Sequence, residues 1–188
     1  MKQEIIRKAL ALLGSNSGNY GAMQNSTSIS KAENLCQEFV DSAIEEAVLS
    51  VRWDFALKRI DNIDGSNNEF KEIENIEDCI KVVIIVPSNL EFYIETGKIY
   101  FKGGNLTSLF YYSSTVIELL LNNDGNVWKH VPQNFRLLTA LSLASKVAFA
   151  LYSDSLFADG LKKQYLIHSD QAKRLYNIGY NLVNSGEV

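Results

Sequence analysis

The chain reads as an α+β protein: mainly an α-helical bundle, about four helices drawn from both chain ends, with a small antiparallel β-sheet inserted between them. Three observations predict this. An apolar stripe recurs at three- and four-residue steps from Ala32 to Val51. A stretch from Phe135 to Tyr152 that is apolar nearly all round precedes a heptad-like run, Leu161, Tyr165, His168, Ala172, Leu175, Gly179 and Leu182. Between these regions, "EFYIE" and "KIYFK" flank Thr96-Gly97, a two-residue hairpin signal. The implied division is a helical body of residues 1–60 and 130–188 that carries a sheet subdomain at 61–129.

Each element has its own justification. Ile5, Ile6, Ala9, Leu10 and Leu13 stand at helical spacing, and Gly14 stands where that helix would end. Residues 14–30, "GSNSGNYGAMQNSTSIS", are nearly free of charge and read as a long loop. Ser30 and Glu33 form an S-x-x-E capping box for the next helix. Trp53 and Phe55 close that helix, where large aromatics plug the end of a core. Arg52, Lys58 and Arg59 suit the negative end of its dipole.

Residues 61–78 hold Asp61, Asp64, Glu69, Glu72, Glu74, Glu77 and Asp78 against one base, Lys71, and read as a solvated acidic connection. "CIKVVIIVP" at 79–87 reads as a buried strand ended by Pro87. The hairpin follows, with Glu95 facing Lys98, and then a third strand, "LTSLFYYSS". Its aromatics suit cross-strand packing or, where exposed, a protein interface. "NNDGN" is a loop, and Pro132 starts a helix where its missing N–H does no harm. The helix from Phe135 must be covered on most sides. In the last helix, Ala172 and Gly179 let a partner approach closely.

Composition narrows the function. A chain of 188 residues with 46% hydrophobic and 21% charged residues supports a real core and is too apolar to be disordered. A net charge of −4 lacks the basic footprint of a tight nucleic-acid binder. No apolar run approaches the roughly 20 residues of a membrane span, and "MKQEIIRKALALL" does not read as a secretory signal. Cys36 and Cys79 lie on apolar stretches, as buried thiols do. His168 reads as a half-buried seam residue and His130 as a loop residue. Neither has Cys, Asp or Glu at metal-ligand spacing. No catalytic, cofactor-binding or metal site is expected, since acid–base chemistry needs titratable groups converging in a pocket.

Four stretches, in order, resemble the tail tubular protein A, or head-to-tail adaptor (connector), family of short-tailed bacteriophages. They are "KALALLGSNSG", "CQEFVDSAIEEAVLSVRWDFALKR", "EFYIETGKIYF" with the Tyr-bearing strand after it, and "VPQNFRLLTALSLASKVAFALYSDSLFADGLKKQYLIHSDQAKRLYN". Within them, Trp53, Phe55, Ala56, Phe135, Tyr165 and Ala172 fall on the family's pattern as packing residues.

The resemblance implies a non-enzymatic virion protein made in the host cytoplasm and placed at the head–tail junction. It forms a ring, generally of twelve copies, between the portal and the tail nozzle, with genomic DNA passing through the central channel. The helical part would meet portal and neighbouring subunits, and the sheet would meet other tail proteins. Interface candidates are Tyr20 in the long loop, Tyr93 and Tyr111 on the sheet, and Asn184 and Val188 in the tail "NLVNSGEV", which would order on docking. The competing reading is a non-enzymatic helical binding or regulatory module with a ligand-binding β insertion.

Overall fold

The computed structural model describes residues 2–15, 26–63, 70–73, 76, 78–86, 90–95, 98–102, 104–152 and 155–184. Among them are six α-helices and two three-stranded antiparallel sheets, a mainly helical α+β fold. The chain forms two compact units: Met1–Val51 with Leu120–Val188, and Arg52–Leu119.

The first unit is helical and discontinuous. Helix α1 (Lys2–Ser15) buries Ile5, Ile6, Ala9 and Leu13, and it runs through Gly14 rather than ending there. Helix α2 (Ser26–Ser50) buries the periodic stripe Ala32, Cys36, Val40, Ala43, Ile44, Ala47 and Val48. It starts before the expected capping box, so Ser30 and Glu33 lie inside the helix. Ser and Thr at 26, 27 and 28 are competing starts that apolar periodicity cannot separate. The expected loop is therefore helical at both ends, and residues 16–25 of it, Tyr20 included, lie outside the described residues.

Helix α5 (Gln133–Tyr152) is the centre of this unit and packs against α1, α2 and α6 (Ser155–Asn184). Its residues Phe135, Leu138, Ala140, Leu141, Leu143, Ala144, Val147 and Ala148 are buried. The Pro132 carbonyl accepts the Arg136 N–H, 3.3 Å, which opens the helix. Residues 133–151, with mean hydropathy 1.2, are long and apolar enough to cross a membrane, contrary to the expectation that no run reaches that length. Over half of that stretch, 56%, is buried inside the fold, as in the core helix of a globular unit.

Polar contacts tie α1 down. Lys2 pairs with Asp41 at 2.5 Å and Arg136 with Glu4 at 3.1 Å. The Lys2 main-chain N–H donates to Asn123 Oδ1, 3.2 Å, and Asn123 itself sits at φ 60°, a left-handed conformation that Asn tolerates.

Two short helices occupy what was expected to be strand end and loop: α3 (Ser114–Leu121) and α4 (Gly125–Lys129). Asp124 caps α4 by accepting from the Asn126 and Val127 N–H groups, at 2.8 and 3.2 Å. The α4 residue Trp128 is wholly buried. Its indole N–H donates to the Leu120 carbonyl, 3.1 Å, and its ring meets Phe135 edge-on at 6.2 Å.

The second unit is built on sheets. One has strand order β1 (Leu57–Ile63), β6 (Leu106–Ser113), β3 (Cys79–Val86). The other has β2 (Lys71–Glu72), β5 (Lys98–Lys102), β4 (Glu91–Glu95). Ile85, Leu106, Leu109 and Tyr111 of the first share one buried cluster with Ile99 and Phe101 of the second.

Two expectations fail here. β1 is a strand where a helix end and acidic connection were expected, and its Lys58 and Arg59 pair with Asp78 and Asp61. β3 is an edge strand with only Cys79 and Ile85 buried; its β-branched run reads as a two-sided core strand only when its neighbours are unknown. The buried central strand is β6. The hairpin register does pair Glu95 with Lys98, as expected.

Candidate interaction surfaces

The residues that carry the family resemblance are mostly interior. Trp53 is 0% exposed, and its carbonyl accepts the Ala56 N–H, 2.9 Å, closing a single 3-10 turn over Asp54–Ala56. Phe55 is half-buried, its ring 6.1 Å from that of Trp53, and Ala56 is buried. Phe135, Tyr165 and Ala172 are buried in the helical unit. The seam of α6 holds through Leu161, Tyr165, half-buried His168 and Ala172, whereas Leu175 is 62% exposed; the packing at Gly179 and the side chain of Leu182 lie outside the described residues. His130 is exposed, and its main-chain N–H bonds the Val127 carbonyl at the close of α4.

The interface candidates separate. Tyr93 is exposed on β4, stacked on Tyr100 at 4.9 Å and met edge-on by Phe70 at 5.0 Å. Tyr111 is 3% exposed and is a core residue, because β6 is the central strand of its sheet. Tyr20 and Val188 lie outside the described residues, as does the side chain of Asn184, the last residue of α6.

One cluster was not visible in the sequence. Asp78, expected as a solvated acid, is a hub. Its Oδ2 accepts from Lys58 Nζ at 2.5 Å, from Thr115 Oγ1 at 2.9 Å and from Ser113 Oγ, while its Oδ1 accepts from the Tyr111 hydroxyl at 3.1 Å. The Asp78 carbonyl also accepts the Ser114 N–H, 2.8 Å. Register explains the convergence: Lys58 stands opposite Tyr111, and Cys79 stands opposite Ser113.

Burial alone would raise the Asp78 carboxyl. The Lys58 ammonium and the three hydroxyls overcome that and hold it far below the usual carboxylate range. Burial and then the Asp78 charge push the Tyr111 phenol up, and burial pushes Tyr112 up to about 12. An ionised carboxylate so fully supplied with donors anchors strands; it has no proton to exchange near neutral pH. Asp61, another engaged acid of that stretch, is likewise held low, by hydrogen bonds from Ser108 at 2.5 Å and Arg59 at 2.7 Å.

The helical unit also contains an open cleft of about 550 Å³ between α2, α5 and α6. Glu46 lies on its wall and accepts from Ser142 Oγ at 2.7 Å and Lys146 Nζ at 3.1 Å. Tyr165 and the exposed Phe149 contribute the apolar part of the lining. Among the described residues, no group of three His, Cys, Asp or Glu converges on a metal position. No family model matches this chain, and no curated protein does.

Proposed function

We propose that this chain is a head-to-tail adaptor of a short-tailed bacteriophage. In this reading it is a non-enzymatic virion protein, made in the host cytoplasm, that forms a ring between the portal and the tail nozzle. The genome passes through the channel of that ring. The observation that carries the reading is the discontinuous helical unit. Residues from both chain ends make one compact body, and the β-rich segment 52–119 makes another. This is the layout that the sequence resemblance leads one to expect.

Two further points support it. Of the six residues on which the resemblance rests, Trp53, Ala56, Phe135, Tyr165 and Ala172 are at most 6% exposed, as packing residues of a scaffold are, and Phe55 is half-buried. A net charge of −4 favours a wall along which DNA slides over one that grips it.

The test is electron microscopy of the full chain mixed with its cognate portal protein. A ring of this protein capping one end of the portal is the expected image; portals that stay bare at micromolar protein reject the reading. The cleft beside Glu46 favours a second reading, a non-enzymatic ligand-binding module. Bare portals together with a thermal shift from small ligands, lost in Tyr165→Ala, would select it.

A further inference from the structure

Among the described residues, strand β4 is an edge strand, and all five of its residues are exposed. The other edges are short or defended: β2 has only two residues. β3 carries two register irregularities, between Cys79 and Lys81 and between Val82 and Ile84, which disrupt pairing with an incoming strand. The bases of β1 are engaged, Lys58 by Asp78 and Arg59 by Asp61. β4 has none of these protections, and its pairing with β5 is regular from Glu91–Lys102 to Glu95–Lys98.

The β4–β5 register shows what β4 selects. On one face, Glu91, Tyr93 and Glu95 meet Lys102, Tyr100 and Lys98; on the other, Phe92 and Ile94 meet Phe101 and Ile99. Phe101 and Ile99 are 1% and 0% exposed, whereas Phe92 and Ile94 are 45% and 40% exposed, so the core face is left half-covered along β4. The two glutamates also keep their charge available. Lys98 pairs with Glu72 at 2.8 Å and Lys102 lies over the Phe70 ring at 5.5 Å, and among the described residues neither Glu91 nor Glu95 is in an ion pair.

We infer that the free edge of β4 docks an extended segment of a different protein, which adds as a further antiparallel strand. That segment carries a basic residue at each end of five, an aromatic at the centre facing Tyr93, and apolar residues facing Phe92 and Ile94. Main-chain bonds would supply affinity, and the side-chain ladder would supply selection. A second copy of this chain is the wrong occupant. Antiparallel β4–β4 pairing centred on Tyr93 sets Glu91 against Glu95 twice, and like charges directly opposite destabilise a pair. β5, which has the complementary pattern, already has strands on both sides. The edge takes such a strand whether or not the chain is a phage adaptor.

The test titrates the isotope-labelled full chain with two soluble peptides. One copies residues 98–102 between polar flanks, and the other has glutamate in place of both lysines. The lysine peptide is expected to shift and protect the amides of 91–95 and to bind about twofold to thirtyfold more tightly than its counterpart, the range that two exposed ion pairs supply. In Glu91→Lys/Glu95→Lys the preference should reverse. If that variant loses its hairpin, the wild-type comparison still decides. Equal binding of the two peptides, no perturbation at millimolar peptide, or shifts centred away from β4 overturn the proposal. So do shifts of the same amides with protein concentration alone, which would mean a second copy.

Discussion

The Tyr111 hydroxyl donates to Asp78 Oδ1 at 3.1 Å, although 33 positions separate the two residues in the chain. The bond holds the start of β3 against the centre of β6, beside the Lys58 ion pair. Removing the acceptor strands four donors, of which Ser113 is wholly buried. Asp78→Ala is expected to cost about 2–4 kcal/mol, and Asp78→Asn less, since an amide oxygen still accepts two of the bonds. Urea denaturation measures both.

The same site sets an acid limit. The Asp78 carboxyl is held below its unfolded value of about 3.9, so its contribution is present above that value and is lost as pH falls beneath it. Stability measured by urea midpoint should be flat in this group between about pH 5 and 8 and decline below about pH 4. The decline should be shallower in Asp78→Asn.

The two thiols set an alkaline limit. Burial, then nearby Glu33 and Asp78 respectively, push Cys36 and Cys79 up to about 11. Their folded values exceed the unfolded one of about 8.5, so the stability they contribute holds below that pH and is lost as pH rises toward 11. Both thiols should resist a disulfide reagent at pH 8 and react at least about a hundredfold faster in denaturant.

The α6 seam distinguishes two neighbours on one stripe. Ala172 is 2% exposed, and Ala172→Leu should overpack the interior at a cost of about 1–3 kcal/mol. Leu175 is 62% exposed, and Leu175→Ala should change stability by no more than about 0.5 kcal/mol. A large loss at Leu175 in thermal unfolding would contradict this packing.

Trp128 joins α4 to α5. Trp128→Phe should cost about 1–3 kcal/mol through the lost bond to the Leu120 carbonyl, and Trp128→Ala about 3–5 kcal/mol. Thermal unfolding followed by circular dichroism ranks the two.

Long periodic elements were legible from sequence, and elements fixed by their neighbours were not. The stripe of α2 and the all-round apolarity of α5 state their burial directly, and Thr96-Gly97 between alternating segments announces β4 and β5. By contrast, Leu57, Ile60 and Ile63 stand three apart, which mimics a helix continuing from α2, and only pairing with β6 makes β1 a strand. α4 has five residues and depends on the Asp124 cap and the burial of Trp128. Asp78 sat among six other acids in its stretch of sequence, and its donors at 58, 111, 113 and 115 meet only through sheet register. The charge pattern of β4 was readable in part, as Glu95 facing Lys98. Its edge position was not.

The interleaving of the two units orders events on the ribosome. Residues 52–119 are contiguous, so the sheet unit is complete in the nascent chain before α5 has been synthesised. α1 and α2 touch one another, but most of their packing is with α5, so their apolar stripes stay partly uncovered until α5 emerges. During that interval the first fifty residues present apolar surface that the finished protein buries, and such surface is where a nascent chain aggregates.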